Sequence, residues 1–374
     1  MADDSEGMLS WDESVFRNEH VFEIDYLPET FHHRESQLES LKYALRPAVR
    51  GSRPLNTMIR APPGTGKTTA VQKLFGELGG KSDIEVVRVN CQVDSTRYAV
   101  FSRLFEGVFE YEPPASGISF KKLFGQLTDR LVEEETVLVV ALDDINYLFY
   151  ENEAGDTLYS LLRAHEVHSG AKIGVIVVSS DLSLDVIDDL DGRVQSVFRP
   201  EEIYFPRYST DEIASILRER VKRGFHEGVI GSPELDTVTE YTADSGDLRV
   251  GIDLLRRAGL HAEMRASRTI TDEDIEAAYE KSKHVHLSRC LDGLSESERA
   301  LIEVLLEHDG KQAGDVYEVF SEETGLGYTR YSELVNKLDQ LGLITATYAD
   351  VDGRGRSREL SLEYEQSAIV DRLE

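Results

Sequence analysis

Cysteine is nearly absent from this 374-residue chain, which contains only Cys91 and Cys290. Two cysteines far apart in sequence supply neither a disulfide framework nor a metal site by themselves, so they favour a reducing compartment. No stretch approaches the roughly 18 consecutive apolar residues that a membrane-spanning helix needs. The acidic N-terminus lacks the apolar segment of a signal peptide. These absences predict a soluble, cytoplasmic protein with no membrane partner.

Positive charge is also scarce. The chain has 70 Asp and Glu against 41 Lys and Arg, a net charge of −29. Such a charge ordinarily argues against nucleic acid as a partner, because phosphate is repelled. Here, however, the acidic residues are dispersed and Arg outnumbers Lys. This pattern indicates adaptation to molar salt, where the Debye length is about 3 Å, although an ordinary acidic protein remains the alternative. In molar salt the charge does not exclude DNA.

The hydrophobic content of 40% is sufficient for packed cores, and the length predicts two or three domains. Short apolar runs alternate with helical patterns in the first half, which predicts an α/β fold with a mostly parallel sheet. These runs are residues 57–59, 85–90, 137–142, 173–179 and 202–205. We expect a flexible tail at 1–17, an α/β nucleotide-binding domain at 18–205, a helical domain at 206–288 and a final domain at 289–374. The final domain has three helical patterns and a long-turned hairpin, which is typical of a winged helix.

A glycine-rich segment, APPGTGKTT, follows the first predicted strand and opens a helix. Its backbone N–H groups close around phosphates, Lys67 reaches the β- and γ-phosphates, and Thr68 is placed to ligate Mg²⁺. The alternative is a chance glycine-rich turn. The full pattern has Gly where this chain has Ala61. The residues expected to bind nucleotide here are Gly64, Thr65, Gly66, Lys67, Thr68 and Thr69.

Two carboxylates end the apolar run at 137–142. Carboxylates at the end of a parallel strand beside a phosphate loop hold Mg²⁺ and orient the attacking water. We expect Asp143 to ligate the metal and Asp144 to act as the general base. The alternative is a solvated strand end.

These motifs, in this order, resemble the AAA+ ATPases, and more narrowly the archaeal origin-recognition and helicase-loader initiators. The resemblance covers about residues 20–370, with an AAA+ domain, a helical lid and a C-terminal winged helix. Its most specific segments are YLPE at 26–29, HRE at 33–35, LYSLLR at 158–163, GDLR at 246–249 and GRGRSR at 353–358.

The resemblance implies further nucleotide-site residues. Tyr208 would pack on adenine and Arg220 would contact the nucleotide. Arg249 stands in the second-sensor motif, and Ser180 stands at the first sensor. Arg193 stands where an arginine finger would reach a neighbouring subunit. The alternatives are that Tyr208 is core, that Arg249 pairs with acids of the lid and that Arg193 is simply solvated.

Three departures from the family pattern affect hydrolysis. Asp144 replaces Glu, Ser180 replaces Asn and Ala61 replaces Gly. Asp is one methylene shorter than Glu, and a misplacement of about 1 Å can cost about 100-fold in rate. We therefore expect ATP or ADP to bind with Mg²⁺, and ATP to be hydrolysed slowly.

Two elements of the winged domain are candidates for DNA contact. Thr329 is expected to cap a recognition helix that presents Arg330, Tyr331, Asn336 and Lys337, although these positions could instead be solvated. The wing presents three Arg in an otherwise acidic domain, namely Arg354, Arg356 and Arg358. A helix near residues 95–111 is a second DNA-contact candidate by resemblance, or else part of the core.

The resemblance implies a DNA replication initiator that binds double-stranded origin DNA and helps to recruit or load the replicative helicase. Nucleotide would act as a slow switch, and copies would self-associate on DNA. Two alternatives stay open. One is a nucleotide-dependent regulator or divergent paralogue with little origin binding. The other, less favoured, is a branch-migration DNA motor.

Overall fold

The computed structural model describes residues 14–80, 83–114, 118–182, 184–282, 285–350 and 356–373. The chain divides into two compact units, residues 1–283 and 284–374. Among the described residues, no helix combines the length and apolar character needed to cross a membrane.

A five-stranded parallel sheet forms the centre of the first unit, which confirms the predicted sheet. The strand order is β2-β3-β4-β1-β5. The strands are β1 (Thr57–Arg60), β2 (Ile84–Asn90), β3 (Val137–Asp143), β4 (Lys172–Ser179) and β5 (Glu201–Tyr204). Because β1, β3 and β4 are neighbours and parallel, the segments that follow them meet at one edge of the sheet.

Helices cover both faces of this sheet. The helices up to the end of β5 are α1 (Glu35–Leu45), α2 (Lys67–Leu78), α3 (Arg97–Phe109), α4 (Phe120–Glu133), α5 (Asn146–Tyr150), α6 (Ala154–Leu162), α7 (Ala164–Val167) and α8 (Gly192–Gln195). Side chains of α3, α4 and α6 pack on one face, and those of α1 and α2 pack on the other. Every residue of β3 is buried, as expected for a central strand covered on both sides.

Helix α3 begins after Thr96, whose side chain accepts a hydrogen bond from the Ala99 N–H, and this confirms the predicted helix start. Its apolar residues Val100, Leu104 and Val108 are buried against the sheet. That stripe of α3 is therefore core.

Four helices follow the sheet and form a lid. They are α9 (Thr210–Gly224), α10 (Ser232–Ser245), α11 (Leu248–Met264) and α12 (Asp272–Ser282). Helix α9 begins with a capping box between Ser209 and Glu212. Both side chains satisfy N–H groups that the first turn leaves unpaired, which fixes where the helix starts.

The N-terminal segment belongs to the lid core. Phe16 and Phe22 pack against Phe225, and the main chain of Phe16 pairs with that of Phe225. Residues 14–17 were expected to be flexible, and this expectation is wrong because burial of Val15 and Phe16 attaches them to the lid. The rest of the expected tail, residues 1–13, lies outside the described residues.

The second unit combines helices with a small antiparallel sheet of order β6-β8-β7. Its elements are α13 (Val285–Asp292), α14 (Glu296–Glu307), β6 (Lys311–Gln312), α15 (Ala313–Thr324), α16 (Tyr328–Gln340), β7 (Ile344–Asp350), β8 (Arg356–Leu362) and α17 (Gln366–Leu373). The predicted three helices and hairpin are present, and α13, β6 and α17 are additional to them. Thr329 was expected to cap α16, which is wrong, because the helix begins at Tyr328 and its N-cap is Gly327.

Candidate nucleotide site

The phosphate loop connects β1 to α2 through two glycines with left-handed backbone. The φ angles are 71° at Gly64 and 86° at Gly66. A Cβ at Gly64 would overlap Oδ1 of Asp247, and a Cβ at Gly66 would lie 2.8 Å from the Tyr208 hydroxyl. Both positions therefore require glycine. Ala61 does not have a positive φ, so the Gly-to-Ala departure creates no backbone strain.

Lys67 begins α2 and is buried beneath the loop, where its Nζ donates to the Pro62 carbonyl at 3.4 Å. Burial lowers the pKa of Lys67, and the charges of Asp144 and Asp143 oppose that shift. A buried ammonium without a phosphate is costly, so an anion in the loop would stabilise it. Thr69 follows in the first turn of α2.

Asp143 ends β3 beside Thr68. Its Oδ2 accepts hydrogen bonds from the Thr68 hydroxyl and from Nη1 of Arg88, each at 3.0 Å. Its Oδ1 is buried without a hydrogen-bond partner in the described structure. Burial and the neighbouring charge of Asp144 raise the pKa of Asp143. A hydroxyl, a carboxylate and an unsatisfied buried oxygen form the hard oxygen donor set that Mg²⁺ prefers.

Asp144 is held by the residue that follows β4. The Ser180 hydroxyl donates to Oδ1 of Asp144 at 2.7 Å and lies 3.3 Å from Oδ1 of Asn146. Asp144 itself has a left-handed φ of 53°. The structure thus brings together the two residues that were predicted as base and first sensor.

The lid reaches the loop through Asp247 and Arg249. Asp247 caps α11 and accepts hydrogen bonds from Nε of Arg249 at 2.9 Å and from Nη2 at 2.5 Å. Burial acts to raise the pKa of Asp247, but the hydrogen bonds and charge of Arg249 outweigh it and hold that pKa below its usual value. Arg249 therefore pairs with an acidic residue of the lid, Asp247, which was the alternative to a contact with nucleotide.

Tyr208 lies against the loop, and Arg220 lies against the N-terminal segment. Burial raises the pKa of Tyr208 to about 12. The guanidinium of Arg220 stacks on Tyr26 at 4.5 Å and donates to the Val21 carbonyl. Neither of these Arg220 contacts is with the phosphate loop.

Arg193 lies at the surface, with 63% of its side chain exposed. It pairs with Asp191 at 2.7 Å and with Asp156 at 3.7 Å. Its guanidinium also lies over the Tyr159 ring.

The C-terminal residues predicted to contact DNA separate into different environments. Tyr331 is only 1% exposed and donates to the Ala313 carbonyl, so its prediction as a DNA contact is wrong. Lys337 is half-buried, and its ammonium forms an ion pair with the buried Glu298 at 3.0 Å. Packing of α15 against α16 buries Tyr331, and α14 supplies the carboxylate that pairs with Lys337.

The remaining candidates in this unit are more accessible. Arg330 is exposed and pairs with Glu333 at 3.0 Å. Asn336 accepts a hydrogen bond from Arg358 at 2.5 Å, so the helix and the hairpin meet at these residues. Arg354 and the side chain of Arg356 lie outside the described residues.

Two site residues were missed at the level of sequence. Arg88 is a charged residue within β2 and forms the ion pair with Asp143. Arg34 is buried between the loop and the lid. The only signals were a charge inside an apolar run for Arg88 and a position in the HRE segment for Arg34.

Comparison with known proteins gives consistent matches along the chain. A model for a AAA domain matches residues 50–185, and the Cdc6 AAA+ ATPase-type lid domain matches residues 214–280. The chain is 71% identical to ORC1-type DNA replication protein 3 of Haloarcula marismortui, with 100% of each chain covered. It is 67% identical to ORC1-type DNA replication protein 6 of Halobacterium salinarum, with 99% of each covered.

A solved structure has a similar fold. The ORC1 protein of Aeropyrum pernix, solved in complex with DNA, has a TM-score of 0.80 and 25% identity, and 97% of each chain is covered. These matches confirm the prediction of a AAA+ domain with a helical lid.

Proposed function

Because this chain belongs to the ORC/Cdc6 family of AAA+ DNA replication proteins, we propose that it is an ATP-dependent replication initiator. It binds double-stranded origin DNA and helps to recruit or load the replicative helicase. Bound ATP or ADP sets its state, and slow hydrolysis makes the nucleotide a switch.

The observation that carries the nucleotide part is the contact between Thr68 and Asp143 at 3.0 Å beside the buried Lys67. Thr68 and Asp143 would hold Mg²⁺, with the unsatisfied Oδ1 of Asp143 as a free ligand atom. When bound, Mg²⁺ neutralises charge on the phosphates. Gly64 and Gly66 would let backbone N–H groups approach those phosphates.

Slow hydrolysis follows from how Asp144 is held. Its carboxylate is short, and one oxygen is engaged by Ser180. A general base must come within hydrogen-bond reach of the water that it activates. Arg249 would contact the nucleotide only after its pair with Asp247 opens, and this adds a conformational step.

The DNA part rests on the second unit, which we interpret as a winged helix. Helix α16 would present Arg330 and Asn336, and the β7–β8 hairpin would serve as the wing, with Arg354, Arg356 and Arg358. The DNA-bound ORC1 of Aeropyrum pernix supports this assignment. Contacts to phosphate position the duplex without reading its sequence.

Association with the helicase and between copies belongs to the same proposal. The exposed Arg193 is free of the core, so it is accessible to the nucleotide of a neighbouring copy on DNA. To contact that nucleotide, Arg193 would have to break its ion pairs with Asp191 and Asp156 and pair with a phosphate instead.

The nucleotide assignment is tested with Lys67→Ala. This variant should lose ATP and ADP binding in isothermal titration calorimetry at molar KCl. The exposed Lys42, which pairs with Glu39, gives the matched control Lys42→Ala. Unchanged ATP affinity in Lys67→Ala would refute the phosphate-loop assignment.

The DNA assignment is tested by genome-wide recovery of bound DNA in native salt, with wild type beside Arg358→Ala. The control is Arg130→Ala, which removes an exposed arginine paired with Glu134 in the first unit. Sharp peaks in wild type and in the control, lost in Arg358→Ala, are expected. Diffuse recovery from wild type would instead favour the nucleotide-dependent regulator.

A further inference from the structure

Arg34 is a buried arginine that contacts two segments of the first unit distant from its own in sequence. It is only 2% exposed. Its Nε donates to the Thr65 carbonyl at 3.1 Å, and its Nη1 donates to the adjacent His33 carbonyl at 2.8 Å. Its Nη2 donates to the Pro206 carbonyl at 2.7 Å. One side chain therefore joins the phosphate loop to the segment that leads into the lid.

The plane of this guanidinium also stacks on an aromatic ring. The Arg34 Cζ lies 3.7 Å from the centroid of the Tyr208 ring. Burial lowers the pKa of Arg34, while the nearby Tyr208, Glu212 and Glu35 act to raise it. Arginine nevertheless stays protonated in proteins, so this is a buried cation with neutral carbonyl acceptors. A buried charge is tolerated only where its hydrogen bonds are well satisfied.

The bond to Thr65 orients a peptide of the phosphate loop. In a trans peptide the C=O and the next N–H point to opposite sides. Since Arg34 holds the Thr65 carbonyl, the Gly66 N–H is turned away from Arg34. This N–H belongs to the loop that would surround the phosphates, so Arg34 pre-orients one donor of that loop.

The bond to Pro206 fixes the start of the lid. Pro206 stands four residues before Thr210, the first residue of α9, and Tyr208 lies between them. The capping box of Ser209 and Glu212 leaves little freedom between this segment and the helix. Movement of α9 relative to the loop therefore has to stretch or break contacts of Arg34.

We propose that Arg34 is a positioning residue that couples nucleotide binding at the phosphate loop to the position of the lid. This inference rests on the proposed nucleotide function. Phosphate bound by the loop favours the peptide orientation that Arg34 holds, and the same guanidinium then holds Pro206 and Tyr208. By reciprocity, a lid held in this position favours phosphate binding.

The test uses full-length Arg34→Lys, which keeps the charge but loses the planar fork and the stacking surface. Arg53→Lys is the matched control, because Arg53 also donates to two backbone carbonyls, those of Ile173 and Leu162. Arg53 differs from Arg34 in being exposed, although partial desolvation lowers its pKa as well. Two quantities are measured: the ADP dissociation constant, and hydrogen exchange of α9 with and without saturating Mg-ADP.

In wild type and in Arg53→Lys, Mg-ADP should slow amide exchange in α9. Arg34→Lys should bind ADP about tenfold more weakly, within the usual range of coupling factors, and saturating ADP should no longer protect α9. A purely structural role would lower stability but leave the ADP-dependent protection intact. Full protection of α9 in saturated Arg34→Lys overturns the proposal.

The experiment also distinguishes failure of the coupling from absence of ADP binding and from misfolding of the variant. If wild type does not bind ADP, the proposed nucleotide function fails and the coupling fails with it. If Arg34→Lys does not fold, as judged by circular dichroism, Arg34→Gln takes its place, since its shorter amide removes the buried charge and cannot bond the Thr65 and Pro206 carbonyls together. Protection of α9 by saturating ADP should then be lost, and wild-type protection in Arg34→Gln overturns the coupling.

Discussion

At the scale of single residues, the candidate nucleotide site contains buried charged groups whose hydrogen bonds are incompletely satisfied. Oδ2 of Asp143 accepts hydrogen bonds from Thr68 and Arg88, whereas its Oδ1 has no hydrogen-bond partner among the residues that the structure describes. Among the described residues, the buried Lys67 ammonium has the Pro62 carbonyl at 3.4 Å as its hydrogen-bond acceptor. In the proposed function both defects would be relieved together, since phosphate would pair with the ammonium and Mg²⁺ would take the free carboxylate oxygen. This imbalance is typical of a site organised for its ligand.

The length of the Asp144 side chain gives a testable rate prediction. Asp144→Glu should raise ATP hydrolysis, by up to about 100-fold, because the longer side chain places its carboxylate closer to the attacking water. Turnover is measured as phosphate release at saturating ATP.

The control for this change is Asp129→Glu, at an exposed position on α4 that pairs with His168. It should hydrolyse ATP at the wild-type rate. An Asp144→Glu rate no higher than wild type, with ATP affinity retained, would show that side-chain length is not what limits hydrolysis.

Asp247 gives a prediction about pH. Its folded pKa is lowered, so its charge stabilises the fold above the unfolded pKa of about 3.9, and that contribution is lost as pH falls through the lower folded pKa. Asp247→Asn keeps a good capping side chain but not the charge. Its free energy of unfolding should therefore depend less steeply on pH below about 4 than that of wild type.

Urea unfolding at several acidic pH values measures this dependence. Asp253→Asn, which removes a partly exposed acid paired with Arg257 in the same helix, is the comparison. Parallel pH profiles for wild type and Asp247→Asn would contradict the assignment of Arg249 as the group that stabilises this carboxylate.

At the scale of elements, α16 shows that polar residues of one helix can lie in different environments once neighbouring helices pack against it. Lys337 pairs with Glu298, which is 2% exposed, whereas Arg330 pairs with Glu333 at the surface. Both are cation–carboxylate pairs at 3.0 Å, yet only the pair of Lys337 has a buried carboxylate. Removing one partner of a buried pair leaves the other charge uncompensated.

Lys337→Ala should therefore destabilise the second unit by roughly 3 kcal/mol, since the buried Glu298 would keep its hydrogen bond from the Ser295 N–H but lose its cation. Arg330→Ala, in the same helix, should cost less than about 1 kcal/mol, as exposed pairs do. Chemical denaturation followed by tyrosine fluorescence compares the two. Equal losses in both variants would contradict the structural role of Lys337.

At the scale of the whole molecule, the net charge of −29 makes salt a condition of stability. Reducing KCl from about 1 M to about 0.1 M lengthens the Debye length from about 3 to about 10 Å, so repulsion among dispersed carboxylates grows. We expect Tm to fall steadily over this range. Differential scanning calorimetry measures it.

Sucrose is the control for this experiment, because it favours the folded state without screening charge. Sucrose at low salt should restore less of the lost Tm than KCl does. A Tm that is independent of KCl would show that the acidic surface is not an adaptation to molar salt.

The sequence alone determined the parallel sheet, the phosphate loop, the acidic strand end and the start of α3. These features depend on local chemistry: short apolar runs, glycine where φ is positive, and a capping residue such as Thr96. Their signals lie within a few neighbouring residues, so they can be read before the chain is folded. The family resemblance, which the comparisons confirm, could likewise be recognised from the sequence alone.

Only the tertiary structure decided which of these residues are partners. Arg34 meets Thr65 and Pro206 across 31 and 172 positions of sequence, and its burial has no local signature. Tyr331 and Lys337 occupy polar-looking positions on α16, but neighbouring elements bury Tyr331 and pair with Lys337. Burial and long-range pairing arise when separate segments pack, and a pattern read along one segment does not contain that information.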